Sequence, residues 1–487
     1  MEERARHPTR DADPAAPKRG EGIVFLTLIL IVAFAPLPLG SNTPISVSIF
    51  AFMIGVGLAT WAGLLAYGRL ELHAETRSLK WPVLIYLGVC AWVFVQWTPW
   101  IPQGFADPVW QSASAHLSLQ LPGRITVNPD ATIAGLTNLL LYGGAFWLAF
   151  QTTRSSSKSW QLIRAIAYAG SAYAIYGIAI YMTGNEWVLI YPKTVYLDSL
   201  TSTFVNRNSY ATFAGLSLLC ATASLLDHMR PHFALKHPFR AKLVIIVEEL
   251  VAKSAFKTLA VLSIAISLFL SASRAGILSS AVGVGALIFI FFGQQRLKVR
   301  PLVIGVSTLL VLSSVLVAIS GNYFSKRMET ADVDTSFAFR NYMYSLAIEA
   351  IESAPFNGTG FGTYADVIPA FKEGRIDAPM QRWDKAHNTY LENALELGVP
   401  AAVMLNCSIL LIAAIAARGT SRRRRNKLLP ALGLCATLLV ALHSLVDFSL
   451  QIPAIAFLYA CIMGVAAGQS WGATSSNVAL NESMKTP

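Results

Sequence analysis

The chain has 487 residues, of which 54% are hydrophobic and only 13% are charged. In soluble proteins about a quarter of the residues are charged. The composition therefore excludes an ordinary soluble domain and predicts an all-α polytopic membrane protein. The net charge of +11 does not indicate a nucleic-acid partner, because the lysines and arginines fall in short segments between apolar runs, as orientation signals do. All five cysteines lie inside apolar runs, so neither a loop disulfide nor a cysteine metal site is predicted.

Twelve apolar runs are long enough to be transmembrane helices. They cover residues 23–41, 44–67, 81–101, 132–151, 161–183, 208–226, 258–272, 275–292, 301–320, 399–417, 429–446 and 450–468. The first run resembles a signal peptide, but Pro36 directly after a cleavage-like Ala33–Ala35 favours a retained helix. The predicted organisation is a disordered cytoplasmic tail (1–22), a transmembrane domain (23–468) and a second cytoplasmic tail (469–487).

The distribution of positive charge predicts the orientation of these helices. Most of the 38 lysines and arginines lie on one side if both termini are cytoplasmic, and Arg422–Arg425 is the strongest marker of that side. The long polar segment 321–398, between the ninth and tenth helices, then lies on the outer side of the membrane.

The apolar stretch 258–292 is too long for one crossing and has Arg274 near its middle. An arginine at the centre of a membrane helix costs about 2.5–3.5 kcal/mol on insertion scales. Two helices that meet in a tight outer turn avoid most of this cost, so a turn at Arg274 is predicted. The preceding segment, 241–256, has apolar positions at helical spacing and is predicted to lie on the inner membrane surface.

Several polar residues on the outer side are candidates for a site. Arg207 begins a predicted helix between Asn206 and Asn208; the asparagines can cap the helix, but a cation there opposes the helix dipole, which indicates an anionic partner. Arg274 is a site candidate because it lies in a membrane turn, with contact to lipid headgroups as the alternative. Arg340 lies in a helical pattern from about residue 337 to 353 and is either a site residue or an exposed charge.

The glycine-rich sequence Asn357–Gly362 lacks the lysine and the preceding strand of a phosphate loop. It is interpreted as a turn that brings backbone close to a neighbour.

His387 is predicted to lie in the helix that leads to the tenth span, with Asp384, Asn388 and Glu392 on an adjacent face. A lone histidine is usually structural, but this one lies at the membrane mouth near several arginines, where it is suited to deprotonate a hydroxyl. His443 and Asp447, four residues apart, form either a structural pair or part of the site.

These residues resemble the O-antigen ligase and O-antigen polymerase superfamily. The resemblance covers roughly residues 200–450 and rests on the order of its motifs. They are Thr203–Asn208, Ser271–Gly276, Arg340 with Ala354–Gly362, Ala386–Glu392 and His443–Phe448.

The resemblance implies a C-type glycosyltransferase of the bacterial inner membrane with its active site at the periplasmic face. The donor is a glycan on undecaprenyl diphosphate, and the acceptor is lipid A–core or a second glycan. Arg207, Arg274 and Arg340 match the diphosphate-binding arginines of the family, and His387 matches its essential histidine. We count His387, Arg274 and Arg340 as catalytic candidates. The substrate-binding candidates are Arg207, Asn206, Asn208, Asn388 and Tyr390; no metal or other cofactor is expected.

The motifs do not separate a ligase from a repeat-unit polymerase or from a protein O-glycosylating enzyme, and we give the ligase precedence. A transporter that uses the arginines as an anion path is the alternative from another class. Transporters typically show inverted repeats and charges at mid-depth, and neither is found in this sequence. A purely structural scaffold leaves the outer arginines unexplained.

Overall fold

Helices form nearly all of the regular structure in the computed structural model, which describes residues 19–37, 39–234, 239–294, 332–372, 384–423 and 426–471. The helices are α1 (Arg19–Phe34), α2 (Pro44–Ala66), α3 (Lys80–Trp97), α4 (Pro108–Leu117), α5 (Pro129–Thr152), α6 (Ser156–Met182), α7 (Arg207–Ala234), α8 (Phe239–Glu248), α9 (Ala255–Leu270), α10 (Arg274–Gln294), α11 (Asp332–Ser353), α12 (Tyr364–Lys372), α13 (Thr389–Leu397), α14 (Val399–Arg422), α15 (Leu428–His443) and α16 (Pro453–Gly468). A two-residue hairpin, β1 (Trp187–Val188) and β2 (Tyr191–Pro192), follows α6.

The described part of the chain is an all-α polytopic membrane protein, as predicted. Among the described residues, seven helices are long and apolar enough to cross a membrane, namely α2, α3, α5, α6, α7, α10 and α14. The apolar helices α15 and α16 and residues 22–34 of α1 are shorter. Eleven of the predicted spans overlap a helix, while the ninth, 301–320, lies outside the described residues.

Local sequence explains where the long helices begin. Thr43 accepts a hydrogen bond from the Ser46 amide through Oγ1 (3.3 Å), and Pro44 follows it as the first residue of α2. Asn128 does the same for α5, with the Ala131 amide as donor (3.1 Å) and Pro129 next. The polar cap accepts a hydrogen bond from one of the free amides at the helix start, and proline has no amide hydrogen that needs a partner. A helix therefore begins at these points.

Two sharp changes of direction match the predicted breaks. Segment Val244–Lys253 meets α9 at 89°, in keeping with a helix that lies along the membrane surface before a crossing begins. At the other end of α9 the chain turns within three residues, Ala272 has a φ of 53°, and α10 starts at Arg274. The predicted turn at Arg274 is therefore confirmed.

Helix α16 is the centre of the bundle, and every residue from Pro453 to Gly468 is buried. It packs most extensively on α5, where a Cβ on Gly464 would come within 2.5 Å of the Phe146 carbonyl oxygen. Between membrane helices, small residues allow the backbones to approach closely and pack by dispersion. The α5–α16 contact therefore depends on the missing side chain at Gly464.

A second, smaller assembly of α11, α12 and α13 lies over one end of the bundle. Its core contains Met343, Leu346, Ala347, Ala350, Tyr364, Val367, Ile368, Ala386 and Leu395. The glycine-rich turn between α11 and α12 is joined to α13, because the Gly360 amide donates a hydrogen bond to the Glu396 carbonyl (3.0 Å). A Cβ on Gly358 would lie 2.3 Å from the Glu396 carbonyl oxygen. The predicted structural role of this turn, close backbone approach, is confirmed.

Replacement of Gly358 by alanine should loosen this assembly. Gly358 has a φ of +64° in addition to the close contact with Glu396, and strain of this kind costs about 1–3 kcal/mol. We expect the melting temperature of the detergent-solubilised protein to fall. Gly285→Ala, in α10, is the matched control because no atom lies within 4 Å of its Cβ position. Equal melting temperatures for the two variants would contradict the prediction.

Candidate active site

Three arginines from separate parts of the chain come together at the end of the bundle covered by α11–α13. Arg207 is the first residue of α7 and Arg274 the first of α10, while Arg340 lies in α11. The positive charges of Arg340 and Arg274 both act on Arg207. The chain thus brings together residues that are 133 positions apart, and like charges gathered in this way favour an anionic partner.

The starts of α7 and α10 are joined by a hydrogen bond. Ser273 Oγ donates to Asn208 Oδ1 (2.8 Å), and the same Ser273 Oγ accepts from the Gly276 amide (3.3 Å). Asn206 Oδ1 accepts from the Asn208 amide (2.7 Å). Both asparagine oxygens therefore shape the helix starts, while the substrate-binding role of Asn206 and Asn208 stays a prediction.

Arg207 is held by the loop that follows the β hairpin. Its guanidinium lies over the Tyr196 ring, 5.3 Å from the centroid, and its Nη1 donates to Ser199 Oγ (3.2 Å). Arg207 and Arg340 are half-buried and Arg274 is exposed. Tyr196 and Ser199 were not among the candidates from the sequence, since a loop without periodicity gives no signal of what it contacts.

His387 lies in a loop, and the prediction that it forms part of a helix is wrong. Helix α13 begins two residues later, at Thr389, and His387 has a φ of 53°. The physical reason is the cap: Asn388 Oδ1 accepts from the amides of Tyr390 (3.0 Å) and Leu391 (3.1 Å), which starts the helix after Asn388.

Asn388 and Tyr390 are both engaged with the segment around α15. Asn388 Nδ2 donates to the Leu445 carbonyl (3.0 Å), and the Tyr390 hydroxyl donates to the Ala441 carbonyl (3.0 Å). These bonds seat the His387 loop on the bundle. Direct contact of Asn388 and Tyr390 with substrate stays a prediction.

The imidazole of His387 faces a fully buried carboxylate. Its Nδ1 lies 3.8 Å from Asp447 Oδ1, and its ring packs edge-on against Phe448, with 4.7 Å between centroids. Burial lowers the pKa of His387 to about 4; Asp447 opposes this effect and Arg340 adds to it. His387 is therefore neutral at neutral pH and able to accept a proton.

Residues 259–406 match the family model described as O-antigen ligase. This match supports the O-antigen ligase family, and residues 259–406 are termed the O-antigen ligase domain. The resemblance predicted from the sequence is confirmed, and no curated protein matches the chain significantly.

The O-antigen ligase domain contains Arg274, Arg340 and His387, whereas Arg207 and Asp447 lie outside the matched segment. The structure places these two beside the residues of the domain. The site is thus assembled from the O-antigen ligase domain and from the helices on either side of it in sequence.

Asp447 ends a chain of short hydrogen bonds that the sequence did not reveal. His443 Nδ1 and Thr212 Oγ1 are 2.6 Å apart, as are Thr212 Oγ1 and Ser449 Oγ. Ser449 Oγ donates to Asp447 Oδ2 (2.6 Å). Thr212 Oγ1 also donates to the Asn208 carbonyl (3.3 Å), and Ser449 Oγ lies 3.3 Å from His443 Nδ1. His443 and Asp447 are therefore linked through the hydroxyls of Ser449 and Thr212 and not directly across one helical turn.

Glu392 anchors the residues before His387 in the O-antigen ligase domain. It is fully buried; its Oε2 accepts from the Ala386 amide (2.9 Å) and its Oε1 lies 3.1 Å from Lys385 Nζ. Burial opposes the charge of Lys385, but Glu392 and Glu396 raise its pKa above the ordinary value. Burial and the nearby Glu392 raise the pKa of Glu396 to about 8.

A mostly apolar cavity of about 1280 Å³ adjoins this loop. Lys385, Thr389 and Tyr390 line it at the covered end, and side chains of α2, α3, α5, α14, α15 and α16 line the remainder. The His387 loop therefore lies close both to the arginine cluster and to an apolar cavity.

Glu392→Ala should destabilise the His387 loop. The change leaves Lys385 without its main counter-charge and the Ala386 amide without an acceptor. Breaking a buried pair costs up to 3–5 kcal/mol, and about 2 kcal/mol is expected here because Lys385 keeps some contact with water. The measurement is thermal unfolding in detergent, with the exposed Glu352→Ala as control. No difference between the two variants would remove Glu392 from this role.

Proposed function

We propose that the protein is a membrane glycosyltransferase of the O-antigen ligase type that acts in surface polysaccharide assembly. It transfers a glycan from an undecaprenyl-diphosphate carrier to an acceptor hydroxyl at the periplasmic face of the bacterial inner membrane. The observation that carries the proposal is the meeting of Arg207, Arg274 and Arg340 with the His387–Asp447 pair at one end of the bundle.

The arginines suit the diphosphate of the donor. Guanidinium groups stay charged and bind phosphate oxygens with paired N–H donors. The buried Nε of Arg340 has no hydrogen-bond partner among the described residues, which is expected of a donor that serves a ligand. Stabilisation of the negative charge that develops on the leaving diphosphate is the largest expected contribution to the rate.

His387 acts on the acceptor in this proposal. With Nδ1 directed at Asp447, we assign Nε2 to the acceptor hydroxyl. The hydroxyl oxygen attacks the anomeric carbon, its proton passes to His387, and the bond from that carbon to the diphosphate breaks with the electron pair on the phosphate oxygen. The Asp447 carboxylate then stabilises the imidazolium that forms.

The proposed topology places both termini in the cytoplasm and the segment 321–398 in the periplasm. The positive-inside distribution of the loops supports it. A cysteine at Ala370, an exposed position of α12, should react with a membrane-impermeant reagent in intact spheroplasts. Labelling that requires lysis would overturn the proposed orientation.

A repeat-unit polymerase is the second candidate, because the superfamily resemblance includes it. The two differ in the acceptor, and the glycans of a deletion strain distinguish them. Loss of long chains from lipid A while lipid-linked polymer accumulates indicates a ligase. Products with a single repeat unit indicate a polymerase.

Removal of one arginine should reduce transfer strongly without loss of the protein. We expect Arg274→Ala to lower the transfer rate by roughly 10²–10³-fold, the usual effect of removing one charge-stabilising donor. Arg274→Lys should recover part of the rate, since it keeps the charge but not the paired donors. The assay is glycan transfer in membranes. Arg69→Ala, an exposed arginine after α2, is the control; a normal rate in Arg274→Ala would refute the assignment.

The pH dependence follows from the lowered pKa of His387. The neutral imidazole is the active base, so activity is kept above its pKa and lost as the pH falls through it. The acid limb of the transfer rate should lie near pH 4 rather than near 6.5. In Asp447→Asn the limb should move to still lower pH, because the carboxylate that favours the charged ring is gone. A limb at the same pH in both proteins would argue against the pair.

A further inference from the structure

The segment from Trp187 to Leu197, which contains the β hairpin, turns apolar side chains outward. Its exposed apolar residues are Trp187, Ile190, Tyr191, Val195 and Leu197, with exposed fractions between 46% and 80%. Ile190, at the hairpin tip, is the most exposed of them. A water-facing hairpin would carry polar residues at such positions.

The one charged residue in this segment of the sequence, Lys193, points inward instead. It is 9% exposed, and its Nζ donates to Asn185 Oδ1 (2.9 Å) and to the Ser199 carbonyl (2.7 Å). The hairpin thus buries its charge and exposes its apolar side chains. This arrangement is unfavourable in water and suited to a lipid environment.

The helix that precedes the hairpin, α6, also exposes apolar side chains. Tyr168, Ile175 and Met182 are exposed on α6, and their spacing of seven residues places them on one helix face. Met182 ends α6, and Trp187 begins the hairpin five residues later. Trp and Tyr at the end of a membrane helix are typical of the interface between lipid and water.

The hairpin is fixed to the bundle, so its outward face has a defined direction. The Leu189 amide donates to the Tyr176 hydroxyl of α6 (2.9 Å), and Val188 is buried. Exposed acidic residues stand at both ends, Glu186 before the segment and Asp198 after it. Charged residues thus flank the exposed apolar residues on both sides.

We propose that residues 187–197 form an interfacial anchor that lies in the bilayer at the end of the bundle that carries the arginine cluster. The occupant of the apolar face is the lipid of that leaflet, at the boundary between headgroups and acyl chains. Because Tyr196 belongs to the anchor and lies under Arg207, the anchor also sets the depth of Arg207 relative to the headgroups. The proposal does not depend on the reaction assigned above.

The test is the environment of a fluorophore at Ile190 in lipid nanodiscs. Cys407 is the exposed cysteine of the described chain and the other four are buried, so Ile190→Cys is made together with Cys407→Ser and labelled with a polarity-sensitive dye. Val195→Cys is the second position. Ala370→Cys, on the exposed face of α12, is the matched water-facing control. Quenching is measured with aqueous iodide and with lipids that carry a nitroxide close to the headgroup.

We expect the labels at 190 and 195 to be quenched by the nitroxide lipids and to show a several-fold lower iodide quenching constant than the label at 370. Iodide quenching equal to that at 370 would overturn the anchor. So would protection from both quenchers, which would mean that protein covers the face.

Discussion

Repulsion among the guanidinium groups of Arg207, Arg274 and Arg340 is the cost that this end of the molecule must offset. Two of these groups also stand at helix N-termini, where the helix dipole disfavours a cation. One offset is visible in the structure, because the Tyr196 ring lies against the Arg207 guanidinium and the Ser199 hydroxyl accepts a hydrogen bond from it. Under the proposed function, the anionic diphosphate of the donor would complete this balance.

The position of Asp447 depends in turn on the core of the bundle. Ser449 and Thr212 hold its second oxygen through short hydrogen bonds, and Thr212 belongs to the long, largely buried α7. Ser449 lies in the turn just before α16, whose residues are all buried. The carboxylate is thus fixed by the best-packed helices, while His387 is carried by a loop that Glu392 and Asn388 shape. A firmly held carboxylate thus faces an imidazole whose direction a few local bonds determine.

The parts of the structure that are determined by a large energetic cost at one position could be predicted from the sequence. The break at Arg274 follows from the cost of a charge at mid-membrane, and the turn at Gly358–Gly362 from the backbone freedom of glycine. The order of the polar residues along the chain was enough to predict that three arginines and one histidine belong to one site.

Three features were beyond such reasoning because they depend on contacts between distant residues. His387 was placed in a helix since periodicity continued through it, whereas the Asn388 cap and the Glu392–Ala386 bond hold it outside. Asp447 was recognised, but His387, which lies 3.8 Å from it, is 60 positions away, and the nearby His443 reaches it only through hydroxyl groups. Tyr196 and Ser199 come from a loop whose sequence carries no pattern for the contact with Arg207.

The hydrogen bond between Asn208 and Ser273 has a consequence for protein engineering. This bond joins Ser273, inside the matched segment, to Asn208, which precedes it. The His387–Asp447 contact likewise joins a residue inside the segment to one that follows it. Exchange of residues 259–406 alone between homologues would therefore separate partners on both sides. A chimaera that retains these contacts should be cut before the β hairpin, because Tyr196 and Ser199 contact Arg207, and after the turn that precedes α16.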